Sequence, residues 1–217
     1  MNNIVIINGS PKAKISVSKL LIDFLQTQFS PAAQVFQATQ LLDKTLDSEE
    51  YRKILQADVL LLVFPLYIDA LPAPLVKVLN TLEIIIKNTK PSKLPLLYAV
   101  VNCGFFEAQH NLLAIEILEN FASRCGLNWM HGLAIGSGGL LLTFEDNSQG
   151  SVMKHIYDKL SELAQAINSQ EKLPATKFVQ PQIPRLIYTI SGNISWKAAA
   201  KKRNTTTSLK ARPHTKT

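Results

Sequence analysis

The chain has 217 residues, of which 47% are hydrophobic, and a formal charge of +7. That length suits one α/β domain with a sizeable core, and that apolar share excludes a disordered body. Seven of the 23 basic residues and none of the 16 acidic ones lie in residues 197–217. The body is therefore neutral, and the charge gives no support to nucleic-acid binding by it.

Strand-like and helical patterns alternate from the start. Residues 4–7 are four β-branched residues and predict a buried strand that stops at Asn8-Gly9. Residues 18–28 predict the first helix, with Leu20, Leu21, Phe24 and Leu25 at helical spacing. A short strand over 34–37 and a short helix over 48–55, with an acidic first turn, come next. Residues 58–64 read Asp-Val-Leu-Leu-Leu-Val-Phe. They do not alternate, so the strand is buried on both faces. A helix over 74–87, a continuous apolar strand over 96–102 and a long helix over 108–124 follow. That helix ends at Cys125-Gly126. Residues 129–135 predict the fifth strand and 151–168 the last helix of the body.

Five β-α repeats imply a parallel sheet covered on both faces. Ligands of such sheets bind at the carboxyl ends of the strands, so the loops after strands one, three and four should converge. Residues 1–171 are read as this domain. Residues 172–217 are read as a C-terminal extension, proline-containing, then apolar, then basic, and partly disordered.

The loop after the first strand carries the strongest chemical signal. Ser10, Ser16 and Ser18 lie where a buried strand turns into a helix. A helix N-terminus offers unpaired N–H groups and a positive dipole end, which suits a phosphate. The ATP-type P-loop needs a second Gly before Lys-Ser/Thr, and the dinucleotide fingerprint needs three; Gly9 stands alone before Ser16. A loop of hydroxyls suits a terminal monophosphate. Capping of the helix by Ser16 or Ser18 is the alternative reading.

Asn8-Gly9-Ser10-Pro11 followed by Ser16-Val17-Ser18 resembles the first loop of the flavodoxin-like NAD(P)H-dependent oxidoreductases, the FMN reductase and quinone reductase group. That group commonly reads Gly-Ser-Pro and then Ser-Asn-Thr or Ser-Asn-Ser. Val17 stands where Asn is usual, which removes a side-chain donor and keeps the backbone N–H. The Thr/Ser-x-Thr-Gly-x-Thr loop of the true flavodoxins is lacking. A second loop, Pro65-Leu66-Tyr67-Ile68 with Leu71-Pro72-Ala73-Pro74 after it, resembles the group's second flavin loop. A third, Asn102-Cys103-Gly104, falls where the group meets the flavin's pyrimidine edge.

The resemblance covers residues 1–168. It implies a flavodoxin-like doubly wound α/β fold with a five-stranded parallel sheet in the order 2-1-3-4-5. It implies noncovalent FMN, with Ser10, Lys12, Ser16, Val17 and Ser18 at the phosphate. Pro65, Leu66, Tyr67 and Ile68 would line the ring, and Asn102, Cys103 and Gly104 its pyrimidine end. NADH or NADPH would supply hydride, and a small oxidised acceptor such as a quinone or free flavin would receive it. The flavin carries the chemistry, so no catalytic side chain is expected. Cys103 has no His–Asp pattern nearby and reads as a small hydrophobe. His110 reads as a surface residue. A homodimer is implied. A non-enzymatic flavodoxin-like electron carrier, or an FMN-binding partner protein, is the alternative, and a nucleotide-binding regulator with a decayed flavin site is a third reading.

No metal spacing, disulfide framework or four-cysteine cluster can be built from Cys103 and Cys125. Met1-Asn2-Asn3 runs uncharged into a strand, so no signal peptide is expected. The richest apolar stretch, residues 59–76, contains Asp69 and three prolines, so no membrane span is expected. The cytoplasm is the expected location. The glycine cluster Gly136-Ser137-Gly138-Gly139 predicts an interface or a lid beside the flavin. In the extension, Trp196 and the following Lys201-Lys202-Arg203 leave three readings open. These are peripheral membrane contact, an arm on a partner subunit, and a partly disordered tail.

Overall fold

A computed structural model describes residues 2–12, 15–143 and 151–205. Contact density separates two units, residues 1–181 and residues 182–217. The first holds one parallel sheet of six strands in the order 2-1-3-4-5-6. Its strands are β1 (Ile4–Asn8), β2 (Gln34–Gln37), β3 (Val59–Pro65), β4 (Leu96–Asn102), β5 (Asn128–Ile135) and β6 (Lys177–Val179). Among the described residues seven helices flank them: α1 (Val17–Gln26), α2 (Ala38–Leu41), α3 (Glu49–Leu55), α4 (Ala73–Thr89), α5 (Leu112–Cys125), α6 (Gly138–Thr143) and α7 (Ser151–Ser169). A 3-10 turn, Ala108–Asn111, precedes α5. The expected order 2-1-3-4-5 is present, and β6 adds an edge strand beyond the five expected.

The continuous apolar strands are buried on both faces, as their lack of alternation requires. All five residues of β1 are buried. Val5 and Ile7 join a core with Leu75, Val78 and Leu82 of α4 and Leu118 of α5. Ile4 and Ile6 join the opposite core with Leu21 and Leu25 of α1 and Ile156 and Leu160 of α7. Successive side chains of one strand thus serve two helix layers.

Local chemistry sets the helix ends. The Lys19 N–H donates to Ser16 Oγ at 3.1 Å, which caps α1, and Ser48 caps α3 in the same way. Gly126, with φ 72°, closes α5 in the left-handed conformation that glycine adopts without strain.

The second unit contains α8 (Arg185–Lys202), which begins after Pro184. Leu186, Ile187, Ile190, Ile194 and Trp196 are exposed on it. The stretch that the sequence shows as apolar patches is thus helical. No helix among the described residues is long and apolar enough to cross a membrane.

Candidate functional site

The strand register brings the carboxyl ends of β1, β3, β4 and β5 into line. Asn8 pairs with Val63, Pro65 with Asn102, and Asn102 with Ile135. Three predicted loops leave from this edge, and Asn102 ties them together. Its Nδ2 donates to Ser18 Oγ at 3.2 Å and to the Phe64 carbonyl at 3.0 Å. Its own carbonyl accepts the Leu66 N–H at 2.7 Å. Asn102 is 3% exposed, so these bonds replace lost hydration.

The first loop turns its hydroxyls inward. Ser10, Ser16 and Ser18 are all buried. The Ser10 N–H donates to Asn8 Oδ1, and Ser10 Oγ accepts the Lys12 N–H at 3.3 Å. Lys12 is exposed, and Val17 is half-buried as the first residue of α1. Gly9 is required by packing, since a Cβ there would stand 2.7 Å from Phe64 Cβ and 2.9 Å from Leu75 Cδ2. The N–H groups of Val17 and Ser18 meet no acceptor among the described residues.

The second loop has the opposite character. Tyr67 and Ala70 exchange backbone hydrogen bonds of 2.9 and 3.1 Å around a two-residue turn. Its central residues, Ile68 and Asp69, have φ of 48° and 57°. A turn with both central residues left-handed ordinarily carries Asn-Gly. A β-branched residue there is strained. Ile68 is 97% exposed and Tyr67 42% exposed, while Pro65 and Leu66 are half-buried.

In the third loop Cys103 is buried and Gly104 exposed. The Asn111 amide approaches Cys103 Sγ at 3.4 Å. Burial pushes the Cys103 thiol pKa up, which keeps it protonated and unreactive at neutral pH. Cys103 also spends its backbone, donating N–H to Ile135 and accepting from Gly138 at 2.7 Å. A Cβ on Gly104 would meet nothing within 4 Å, so open space lies over this backbone. Phe105 is half exposed and stacks on His110, with ring centroids 4.2 Å apart.

The loop after β5 closes the set. The Gly136 N–H donates to the Val179 carbonyl of β6, and the Ser137 N–H to the Phe105 carbonyl. A Cβ on Gly136 would lie 2.4 Å from the Phe106 carbonyl oxygen, so only glycine fits. Neither Asn111 nor the β6 contact has a distinguishing signal in the sequence.

The structure therefore groups Ser10, Ser16, Val17, Ser18, Pro65, Leu66, Asn102, Cys103 and Gly104 at one sheet edge, with Tyr67 and Ile68 projecting from it. The side chains of Asn102 and Cys103 are engaged within the protein. The groups left for a ligand are the N–H groups at the start of α1, the exposed Tyr67 and Phe105 rings and the space over Gly104. That donor set and space suit a phosphate-bearing planar molecule. Among the described residues no cluster of three His, Cys, Asp or Glu could hold a metal ion.

No protein-family model matches the sequence, and no curated protein does. Solved structures do. An FMN-dependent NADH-azoreductase of Bacillus anthracis is 16% identical with a TM-score of 0.52, over 76% of this chain and 99% of that one. An NAD(P)H:quinone oxidoreductase of Methanothermobacter marburgensis is 13% identical with a TM-score of 0.53, over 77% and 96%. The chain has the flavodoxin-like fold. The rubredoxin oxygen:oxidoreductase of Desulfovibrio gigas matches 78% of this chain at 12% identity, with a TM-score of 0.55. This flavodoxin-like chain spans only 36% of that protein.

Proposed function

We propose that this protein is an FMN-dependent reductase. It takes hydride from NADH or NADPH and passes it to a small oxidised acceptor such as a quinone or a flavin. The main support is the convergence of three loops on Asn102 at the carboxyl edge of the sheet, beside unclaimed N–H groups and exposed aromatic rings.

The N–H groups of Val17 and Ser18, at the positive end of α1, bind the phosphate, with Ser10 and Lys12 nearby. Leu66, Tyr67 and Ile68 would line the ring, the exposed Phe105 would offer it a second aromatic contact, and Gly104 would leave room for its edge. Asn102 and Ser16 hold these parts in place. FMN, when bound, supplies the two-electron chemistry. The side chains need only bind, orient and exclude water. The buried, protonated Cys103 thiol fits that division of labour.

The same reading places the protein in the cytoplasm as a homodimer. Leu112, Leu113 and Ile117 are exposed on α5, next to the third loop, and would be covered by a second copy. We assign α8 to the same assembly, as an arm on the partner subunit. At about 100° per residue, Trp196 stands well away from the arc of Leu186, Ile187, Ile190 and Ile194. Lys197 and Lys201 prolong that arc. A one-sided membrane helix has the support of its basic end and not of its apolar pattern.

The test is an absorbance spectrum of the purified protein after loading with FMN and removal of the excess, followed by anaerobic NADH or NADPH. Retained bands near ~450 nm that bleach within seconds are expected. Bands that persist with both nucleotides would replace the reductase by an electron carrier. Failure to retain FMN would overturn the reading.

A further inference from the structure

The turn after β3 is strained with no offsetting contact in the fold. Ile68, with φ 48°, holds a β-branched side chain in the left-handed region and leaves it almost wholly exposed. Strain in a core residue is offset by burial, and Asn or Gly at such a tip relieves it. Ile68 has neither compensation within the described chain. Its apolar side chain is therefore placed for a molecule that covers it.

Ile68 does not stand alone. Ile15 in the first loop, the adjacent Tyr67 and Phe105 in the third loop are exposed as well. The strand register sets these three loops at one edge of the sheet. Apolar side chains gathered around a cleft suit an apolar ligand.

Charge divides the same edge. The first loop carries Lys12 and leads into the positive end of α1. Residues 65–72, 102–111 and 136–143, which follow β3, β4 and β5, contain no lysine or arginine. Their carboxylates are Asp69 and Glu107. His110 Nε2 lies 3.8 Å from the Glu107 carboxylate. Asp69, next to the strained Ile68, has no ion pair among the described residues. A ligand anion near that turn meets a like charge, and those three loops offer no fixed cation against it.

We infer that Ile68 and Asp69 select the acceptor: the cleft takes an uncharged, apolar aromatic acceptor and turns away anionic ones. The inference rests on the proposed reductase reading and narrows it. Ile68 covers the acceptor ring, and Asp69 is the repulsive element against a sulfonate or carboxylate carried on that ring. The strain, the apolar exposure and the one-sided charge then share one explanation.

Equilibrium dialysis of the FMN-loaded full-length protein, without nicotinamide nucleotide, compares two probes. One is anthraquinone bearing a single sulfonate, and the other bears an uncharged hydroxymethyl group in its place. The uncharged probe should bind about tenfold more tightly at ~20 mM salt, and the ratio should shrink to about threefold at ~500 mM. Asp69→Asn should shrink the ratio in the same way at low salt. Ile68→Asn should weaken the uncharged probe about fivefold, through lost apolar cover. Asparagine accepts a left-handed φ, so both variants keep the turn. Equal binding of the two probes, a ratio unmoved by Asp69→Asn, or an uncharged-probe affinity unmoved by Ile68→Asn would each overturn the inference while FMN stays bound. Sedimentation velocity accompanies the last variant. A weakened dimer with unmoved probe affinity would give Ile68 to a second copy instead. Failure to retain FMN would overturn the reductase reading itself, and the inference with it.

Discussion

Two buried polar side chains in adjacent strands meet opposite circumstances. Asn102, at the end of β4, gives both amide hydrogens to protein oxygens. His131, in β5, keeps a ring nitrogen without a partner among the described residues. Both side chains are almost wholly removed from water. For Asn102 the fold itself makes good the loss, by fixing three loops. For His131 nothing in the described chain does so, and burial is maintained only because the ring stays neutral. A satisfied polar group marks a structural joint, and an orphaned one marks a cost that the fold carries elsewhere.

Acid should break this comparison most sharply. Burial lowers the His131 pKa from 6.5 to about 4 in the folded protein. Between those values the unfolded chain binds a proton that the folded chain does not. Stability is therefore full above about 6.5 and is lost as the pH falls toward 4, by up to about 3 kcal/mol. Urea denaturation across this range measures it, and His131→Leu should flatten the slope. An undiminished slope in the variant would assign the acid sensitivity to other groups.

Asn102→Ala should behave oppositely to His131→Leu at neutral pH. It strands Ser18 Oγ and the Phe64 carbonyl and should cost about 2–3 kcal/mol in urea. FMN retention should fall at least tenfold, because the three loops lose their common tie. His131→Leu removes a group with nothing to strand at Nδ1, so its cost at pH 7 should stay within about 1 kcal/mol. Equal costs would erase the distinction between joint and orphan.

Ser16→Ala sharpens the assignment of the first loop. Loss of the cap on Lys19 should cost about 1 kcal/mol by the same measurement. Ile68→Asn should have the smallest effect and the reverse sign. Asparagine tolerates the left-handed conformation, so stability should rise by about 0.5–1 kcal/mol. Slower flavin reduction in that variant would show what the strained isoleucine is for.

Most of the frame is legible in the amino-acid sequence. β2 and β4 match their predicted spans, β1 and β5 differ by one residue at one end and β3 by one at each end, because long apolar runs and glycine breaks are strong local signals. β6 is not legible. It has three residues with one buried side chain, lies between prolines and takes its pairing from β5 alone. The glycine cluster gives no helix signal, yet Gly138–Thr143 forms α6, with Leu141 buried in the core. Position along the chain also locates the site loops. It does not distinguish side chains that face a ligand from those that brace the loops, because Asn102 and Ser18 lie 84 residues apart. That His131 Nδ1 is buried without a partner among the described residues leaves no mark on the sequence near residue 131.

The three residues of β6 also bear on how the chain can be handled. Without them β5 would be the rim of the sheet, eight residues long and buried along most of its length. A long apolar rim with unpaired backbone groups invites strands from neighbouring molecules and leads to aggregation. The short β6 covers that rim at Leu133, Ala134 and Ile135. Shortening from the carboxyl end should therefore spare everything up to Pro181, where the first unit closes.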